Sequence, residues 1–188
     1  ELSVLSLPNI IRPENILLDD KNSPIGYTMR YVTGTTALCQ SFTNSFKKRQ
    51  NITNDMILKL VKKFQDTVKH VHKNKILIVD LNEMNFLLNS TFDDIYFIDV
   101  DSYQTPSFHA TAIMESIRDR HNKTFYKETD HFSYGIVSFQ MFINCHPYKG
   151  KHSKYKTLDE RMIHNMSVFN KDVAVPSGCY PVTVIPEN

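Results

Sequence analysis

A chain of 188 residues, 41% hydrophobic and 22% charged, is long enough for one domain with a substantial core and too short for two ordinary ones. Its composition excludes a disordered polymer. The net charge of +2 comes from 22 Lys and Arg scattered among 20 Asp and Glu, without the basic stripe of a dedicated nucleic-acid binder, so no nucleic-acid partner is expected.

Cys39, Cys145 and Cys179 form no C-x-x-C pair, which argues against a structural zinc site or a disulfide framework. A reducing compartment follows, read here as microbial or viral/host cytoplasm. No apolar run approaches the roughly 18 residues of a membrane span and no signal peptide opens the chain, so no membrane partner is expected. Because the chain starts at Glu1 rather than Met and enters directly into apolar sequence, it reads as a fragment whose upstream part has been removed or is not included.

In chain order, Ile10-Ile11 and Ile16-Leu17-Leu18 read as short strands, followed by the turn Asp19-Asp20-Lys21-Asn22-Ser23-Pro24. A second apolar run spans Ile25 to Val32 and stops at Thr33-Gly34. A short helix is predicted over Ala37 to Lys48. The clearest helix follows, with Thr53 or Asn54 as N-cap. There Met56, Ile57, Leu60, Val61, Phe64, Val68 and Val71 recur at three- and four-residue spacing. Ile76 to Val79, Phe86 to Leu88 and Ile95 to Ile98 read as three short strands. From Ser102 to Thr129 an extended loop is predicted, with one helical turn near Ala112 to Ile117. Asp130 to Ile143 is apolar almost all round, as befits a helix in the middle of a domain. The remainder alternates Pro- and Gly-containing loops, through Gly178, Pro181 and Pro186, with one helix around Leu158 to Phe169.

The stretch that carries chemistry is Asp80-Leu81-Asn82-Glu83-Met84-Asn85, followed after a hairpin-like interval by Asp99-Val100-Asp101. It resembles the protein kinase family, whose catalytic loop sets an Asp five residues before an Asn, with a metal-binding Asp at the end of the next hairpin. Singly, Asp80 and Asn85 read as turn residues and Asp99 as a solvated acid. As an ordered set they read as a site.

The resemblance implies that Asp80 orients or deprotonates an acceptor hydroxyl, while Asn85 and Asp99 hold Mg2+ against the phosphates of ATP, as hard oxygen ligands. It implies that Leu87 floors the adenine. Tyr27 to Gly34 then looks like the last N-lobe strand and hinge, with Met29 as gatekeeper and the backbone of Arg30, Tyr31 and Val32 facing adenine. Asp130-His131-Phe132-Ser133-Tyr134-Gly135 is similar to the family's central helix, with Asp130 tying the catalytic-loop backbone in place. The resemblance covers roughly residues 8 to 170.

The implied fold is α+β: a protein-kinase-like C-lobe over residues 35–188, mainly helical with a small catalytic-loop hairpin. Residues 1–34 would be the last N-lobe strands and the hinge, and the rest of the N-lobe would be supplied by upstream chain. The implied activity is ATP- and Mg-dependent phosphoryl transfer to Ser/Thr hydroxyls of a protein substrate. Arg12-Pro13-Glu14-Asn15 imitates a catalytic loop, but the residue five before Asn15 is Ile10, which has neither a base nor a ligand to offer.

Several positions depart from the family pattern. Ile78-Val79 stands in place of His-Arg, removing the Arg that would pair with a phosphorylated activation loop. Asn82 occupies the catalytic position of the Lys that neutralises the transferring phosphate, as in some divergent bacterial and phage kinase-like proteins. Asp101 stands where the metal-binding motif has Gly, either as an additional metal ligand or as a polar turn residue, and Met114-Glu115 is the candidate for the closing Pro-Glu landmark. No Gly-x-Gly-x-x-Gly loop or Val-Ala-Ile-Lys-like strand precedes Pro8.

Two alternatives stand beside the kinase reading. One is a pseudokinase or truncated lobe acting as an interaction module. The other is a metal-dependent glycosyltransferase using Asp99-Val100-Asp101 as its D-x-D. His70 and His72 read as helix-end residues in favourable contact with the helix dipole.

Overall fold

The computed structural model describes residues 1–177 and Cys179, so Gly178, Pro181 and Pro186 of the expected loop-rich tail lie outside the described residues. The expected strand at Ile16-Leu17-Leu18 and the apolar run from Ile25 form an antiparallel hairpin, β1 (Pro13–Leu18) and β2 (Pro24–Met29), with Ile16 opposite Tyr27, and β2 stops three residues short of Val32. Asp19 closes its turn by accepting the Lys21 and Ser23 amides, both at 2.8 Å.

A second sheet has the order β3 (Thr36–Ala37), β4 (Phe86–Leu88), β5 (Ile95–Phe97), antiparallel throughout. The segment just before β1 extends it. Ile11 N donates to the Phe97 carbonyl at 2.9 Å, and Phe97 N to the Asn9 carbonyl at 2.8 Å. Buried Asn9 fastens this join, its Nδ2 donating to Thr67 Oγ1 at 2.9 Å and to the Ile95 carbonyl at 3.0 Å.

The expected helix over Ala37 to Lys48 is broken in two. A 3-10 turn covers Leu38–Phe42, and Thr43 then restarts the chain as the N-cap of α1 (Asn44–Arg49), accepting the Phe46 amide. Thr53 caps α2 (Asn54–Lys73) in the same way through Met56 N. The buried face of α2 carries Ile57, Leu60, Phe64, Val68 and Val71, the spacing expected of one apolar stripe. Phe64 meets Phe86 and Phe97 edge-on at centroid distances of 4.7 and 5.4 Å. Each of these fully buried rings contributes about 1.5–3 kcal/mol by leaving water.

Helix α3 (Lys127–Ile143) starts three residues earlier than its apolar run and packs against α2, with Ile136, Val137 and Met141 in the core. It ends at Asn144 in the left-handed region, φ 62°. Near this end the buried Lys47 donates from Nζ to the Met141 carbonyl at 2.5 Å. Helix α4 (Leu158–Ile163) is half as long as predicted, because the chain turns back through left-handed Asn165, φ 54°. Among the described residues, no helix is long and apolar enough to cross a membrane.

Candidate functional site

The site is built on one buried carboxylate. Asp130, in the first turn of α3, is 1% exposed. Its Oδ1 accepts the Val79 amide at 2.9 Å and its Oδ2 the Ile78 amide at 2.8 Å. His72 Nε2, from the last turn of α2, lies 2.8 Å from the same Oδ2. Burying a carboxylate is costly unless its lone pairs are used, and here three groups use them. Residues 76–79 therefore form no extended strand of the main sheet. They are joined to the rest by an isolated bridge from Leu77 to Gln104 and by the Asp130 carboxylate.

Held in this way, Val79 takes up φ 62°, a conformation unusual for a β-branched residue. The Asp80 amide folds back onto the Ile78 carbonyl at 2.8 Å. The side chain of Asp80, half-buried, accepts the Met114 amide on Oδ1 at 2.8 Å. This bond fixes the carboxylate, and no hydrogen bond occupies Oδ2 among the described residues. A fixed carboxylate with one open oxygen can orient or accept a hydroxyl proton.

The loop beyond Asp80 is closed by two asparagines. Asn82 is 3% exposed and its Oδ1 accepts the Met84 amide at 2.8 Å, so that oxygen serves the loop itself. Asn85 donates from Nδ2 to the Asp80 carbonyl at 2.9 Å, which turns its Oδ1 away as an available acceptor. The Asn85 carbonyl in turn accepts the Ile98 amide at 3.0 Å, so Asp80, Asn85 and the chain leading into Asp99 are tied in one hydrogen-bonded run. Asp99 is exposed, left-handed at φ 59°, and precedes a 3-10 turn over Val100–Ser102 whose Val100 is fully buried.

The predicted adenine contacts are less closely gathered. Leu87 is half-exposed on β4, facing away from the buried Phe86 and Leu88, beside its strand partners Ala37 and Tyr96. Met29 and Tyr31 are exposed at 40% and 87%, and Val32 is half-buried. Arg30 is exposed, and its guanidinium donates to the Pro8 carbonyl.

Two contacts at this site have no counterpart in the sequence reading. His72, read as a helix-end residue, is buried against Asp130, 58 positions away. Tyr27 donates from its hydroxyl to Asp101 Oδ2 at 2.6 Å. That bond, with burial and the nearby Asp101 and Asp99 charges, pushes the phenol up to about 12. Neither pair has a local spacing that would announce it.

Among the described residues, no cluster of three or more His, Cys, Asp or Glu is arranged to hold a metal. Mg2+ needs no such cage, since it typically takes one or two protein oxygens and completes its shell with water and phosphate. The free Oδ1 of Asn85 and the exposed carboxylate of Asp99 fit that requirement.

No protein-family model matches the chain. It is similar to a protein of Acanthamoeba polyphaga mimivirus named "Putative serine/threonine-protein kinase", at 26% identity over 179 residues and 87% of this chain. The chain spans 62% of that relative's length. The likeness supports a distant kinase-like relationship.

Proposed function

We propose that this chain is the hinge and C-terminal lobe of a divergent protein-kinase-like phosphotransferase. In this reading the intact parent moves a phosphoryl group from Mg-ATP to protein Ser/Thr hydroxyls. The observation that carries it is the Asp130 carboxylate gripping the Ile78 and Val79 amides. That grip aims Asp80, while Asn85 is hydrogen-bonded to the carbonyl of the same Asp80.

In this reading Asp80 receives the acceptor hydroxyl on its open Oδ2 and holds it in line. Asn85 Oδ1 and Asp99 bind Mg2+, which when bound neutralises phosphate charge as it develops. Leu87 offers an apolar floor to adenine, and the Arg30–Val32 backbone offers it hydrogen bonds. The remaining N-lobe comes from the parent chain. The hairpin is consistent with this: Ile16, Leu18, Ile25, Tyr27 and Met29 are all exposed, at 40% or more. A two-stranded sheet is marginal on its own in water, and covering that apolar face would stabilise it.

The non-enzymatic reading draws on Asn82. It brings no cation to the position where the family carries a Lys, and its Oδ1 is engaged by Met84 N. A glycosyltransferase using Asp99 and Asp101 has less support, because Asp101 already accepts the Tyr27 hydroxyl.

Calorimetric titration with Mg-ATP separates these readings. It should be run on this chain and on its longer parent, each beside Asp99→Asn, which keeps a residue tolerant of the left-handed backbone. Binding by the parent that disappears in Asp99→Asn supports the kinase reading. Absence of binding in both would overturn it and leave the interaction module.

A further inference from the structure

The hairpin β1–β2 and the Asp99 segment come from opposite ends of the proposed site, and little joins them. Tyr27 and Asp101 both line a cleft of about 570 Å3 with Ile16, Tyr103 and Phe108. Across that gap, the Tyr27 hydroxyl to Asp101 Oδ2 bond is, among the described residues, the one hydrogen bond between side chains that leaves strand β1 or β2 for another part of the chain.

Each end of the bond is rigidly connected to something functional. Asp101 sits in the 3-10 turn that Asp99 begins. Ser102 returns both its amide, at 3.1 Å, and its hydroxyl, at 2.8 Å, to the Asp99 carbonyl, and Val100 between the two acids is fully buried. Asp99 and Asp101 therefore move as one unit. Tyr27 lies on β2, two residues before Met29 and directly upstream of Arg30 to Val32.

We propose that Tyr27 and Asp101 form a clasp that sets the hairpin and hinge relative to Asp99, which makes Asp101 a positioning residue and not a metal ligand. As a statement about nucleotide binding, this rests on the kinase-like reading above. As a statement about what holds the hairpin, it does not. A phenol donating to a carboxylate is a charge-assisted bond, stronger than a neutral one. Oδ2 of Asp101 is engaged by Tyr27, and Mg2+ typically takes one or two protein oxygens, which Asn85 and Asp99 would supply without it.

The test has two arms on the same variants: Tyr27→Phe, Asp101→Asn and the double. Hydrogen exchange, without any ligand, reads the clasp. Loss of a bond of this kind should speed exchange of the β1 and β2 amides about two- to tenfold in either single variant, with no further gain in the double. Unchanged exchange in Tyr27→Phe, or additive effects in the double, would overturn the clasp.

Mg-ATP titration of the parent protein then reads its consequence. Tyr27→Phe and Asp101→Asn should weaken affinity by the same factor. A fall confined to Asp101→Asn would make Asp101 a ligand and overturn the assignment. If the parent and every variant fail to bind Mg-ATP, the kinase-like reading falls with the nucleotide part of this proposal, while the exchange data still decide the clasp.

Discussion

Asp130 holds the amide of Val79 at 2.9 Å in a left-handed backbone that a valine rarely adopts. That single contact explains how an apolar run can present an acid at its end. Removing Asp130 leaves the Ile78 and Val79 amides and His72 without their shared acceptor in a dry environment. Each stranded group costs about 1–3 kcal/mol. Asp130→Ala is therefore expected to lose about 3–5 kcal/mol of stability in urea denaturation, and His72→Ala distinctly less, because the two amides keep their partner. A loss below about 1 kcal/mol for Asp130→Ala would show that the carboxylate is not what holds this loop.

A second stability prediction concerns the segment after α3. Gly150 has φ 154°, and a Cβ built there would lie 2.6 Å from Val173 Cγ1 and 2.8 Å from the Ala174 carbonyl oxygen. The neighbouring Lys151 is paired with Ala174 in both directions, at 3.0 and 2.9 Å, so the backbone oxygen has nowhere to retreat. Gly150→Ala should cost about 1–3 kcal/mol through overpacking, and a thermal melt at neutral pH checks it. An unchanged melting temperature would mean that the segment around Val173 shifts freely.

Local signals read well from the sequence, and long-range ones poorly. The α2 helix is legible because its apolar spacing and Thr53 cap lie within a few residues of one another. The Thr43 break was hidden, since an apolar stretch interrupted by one threonine looks like continuous helix until the cap is seen bonding Phe46 N. Ile76 to Val79 looked like a strand because a short apolar run does not distinguish a buried loop from a sheet. The tie between Asp130 and this loop was expected from the family resemblance, and no local periodicity contains it. His72 shares that tie through a contact 58 residues long, and Tyr27 reaches Asp101 across 74.

Stability should rise with pH in two windows. His146 is 8% exposed, accepts the Tyr148 amide on Nδ1 and has Nε2 2.7 Å from the Ser116 carbonyl. Burial, helped by the neighbouring Lys149 and Arg161 charges and opposed by the bond to the Ser116 carbonyl, pulls it from 6.5 to about 4. The unfolded chain then binds the extra proton between those values. The contribution is complete above about pH 6.5 and disappears as pH falls through about 4, a swing on the order of 3 kcal/mol. Lys47, desolvated by burial and lowered from 10.5 to about 8, has the same sign and adds a rise above pH 8. Urea midpoints from pH 4 to 7 should be steeper in the wild type than in His146→Gln. Parallel curves would remove His146 as the cause.

Asn85 allows the site's hydrogen bonding to be separated from its charge. Its Nδ2 donates to the Asp80 carbonyl at 2.9 Å, which an alanine merely abandons and an aspartate replaces with oxygen facing oxygen. At neutral pH, Asn85→Asp should be less stable than Asn85→Ala by about 1 kcal/mol, because the repulsion adds to the lost bond. As pH falls through the carboxyl range, the protonated aspartic acid regains a donor and the two variants should converge. Both should weaken Mg-ATP binding by the parent if Asn85 Oδ1 is a metal ligand, Ala more than Asp, since the aspartate still offers the ion an oxygen. Convergence at low pH without any difference in Mg-ATP affinity would assign Asn85 to holding the Asp80 loop alone.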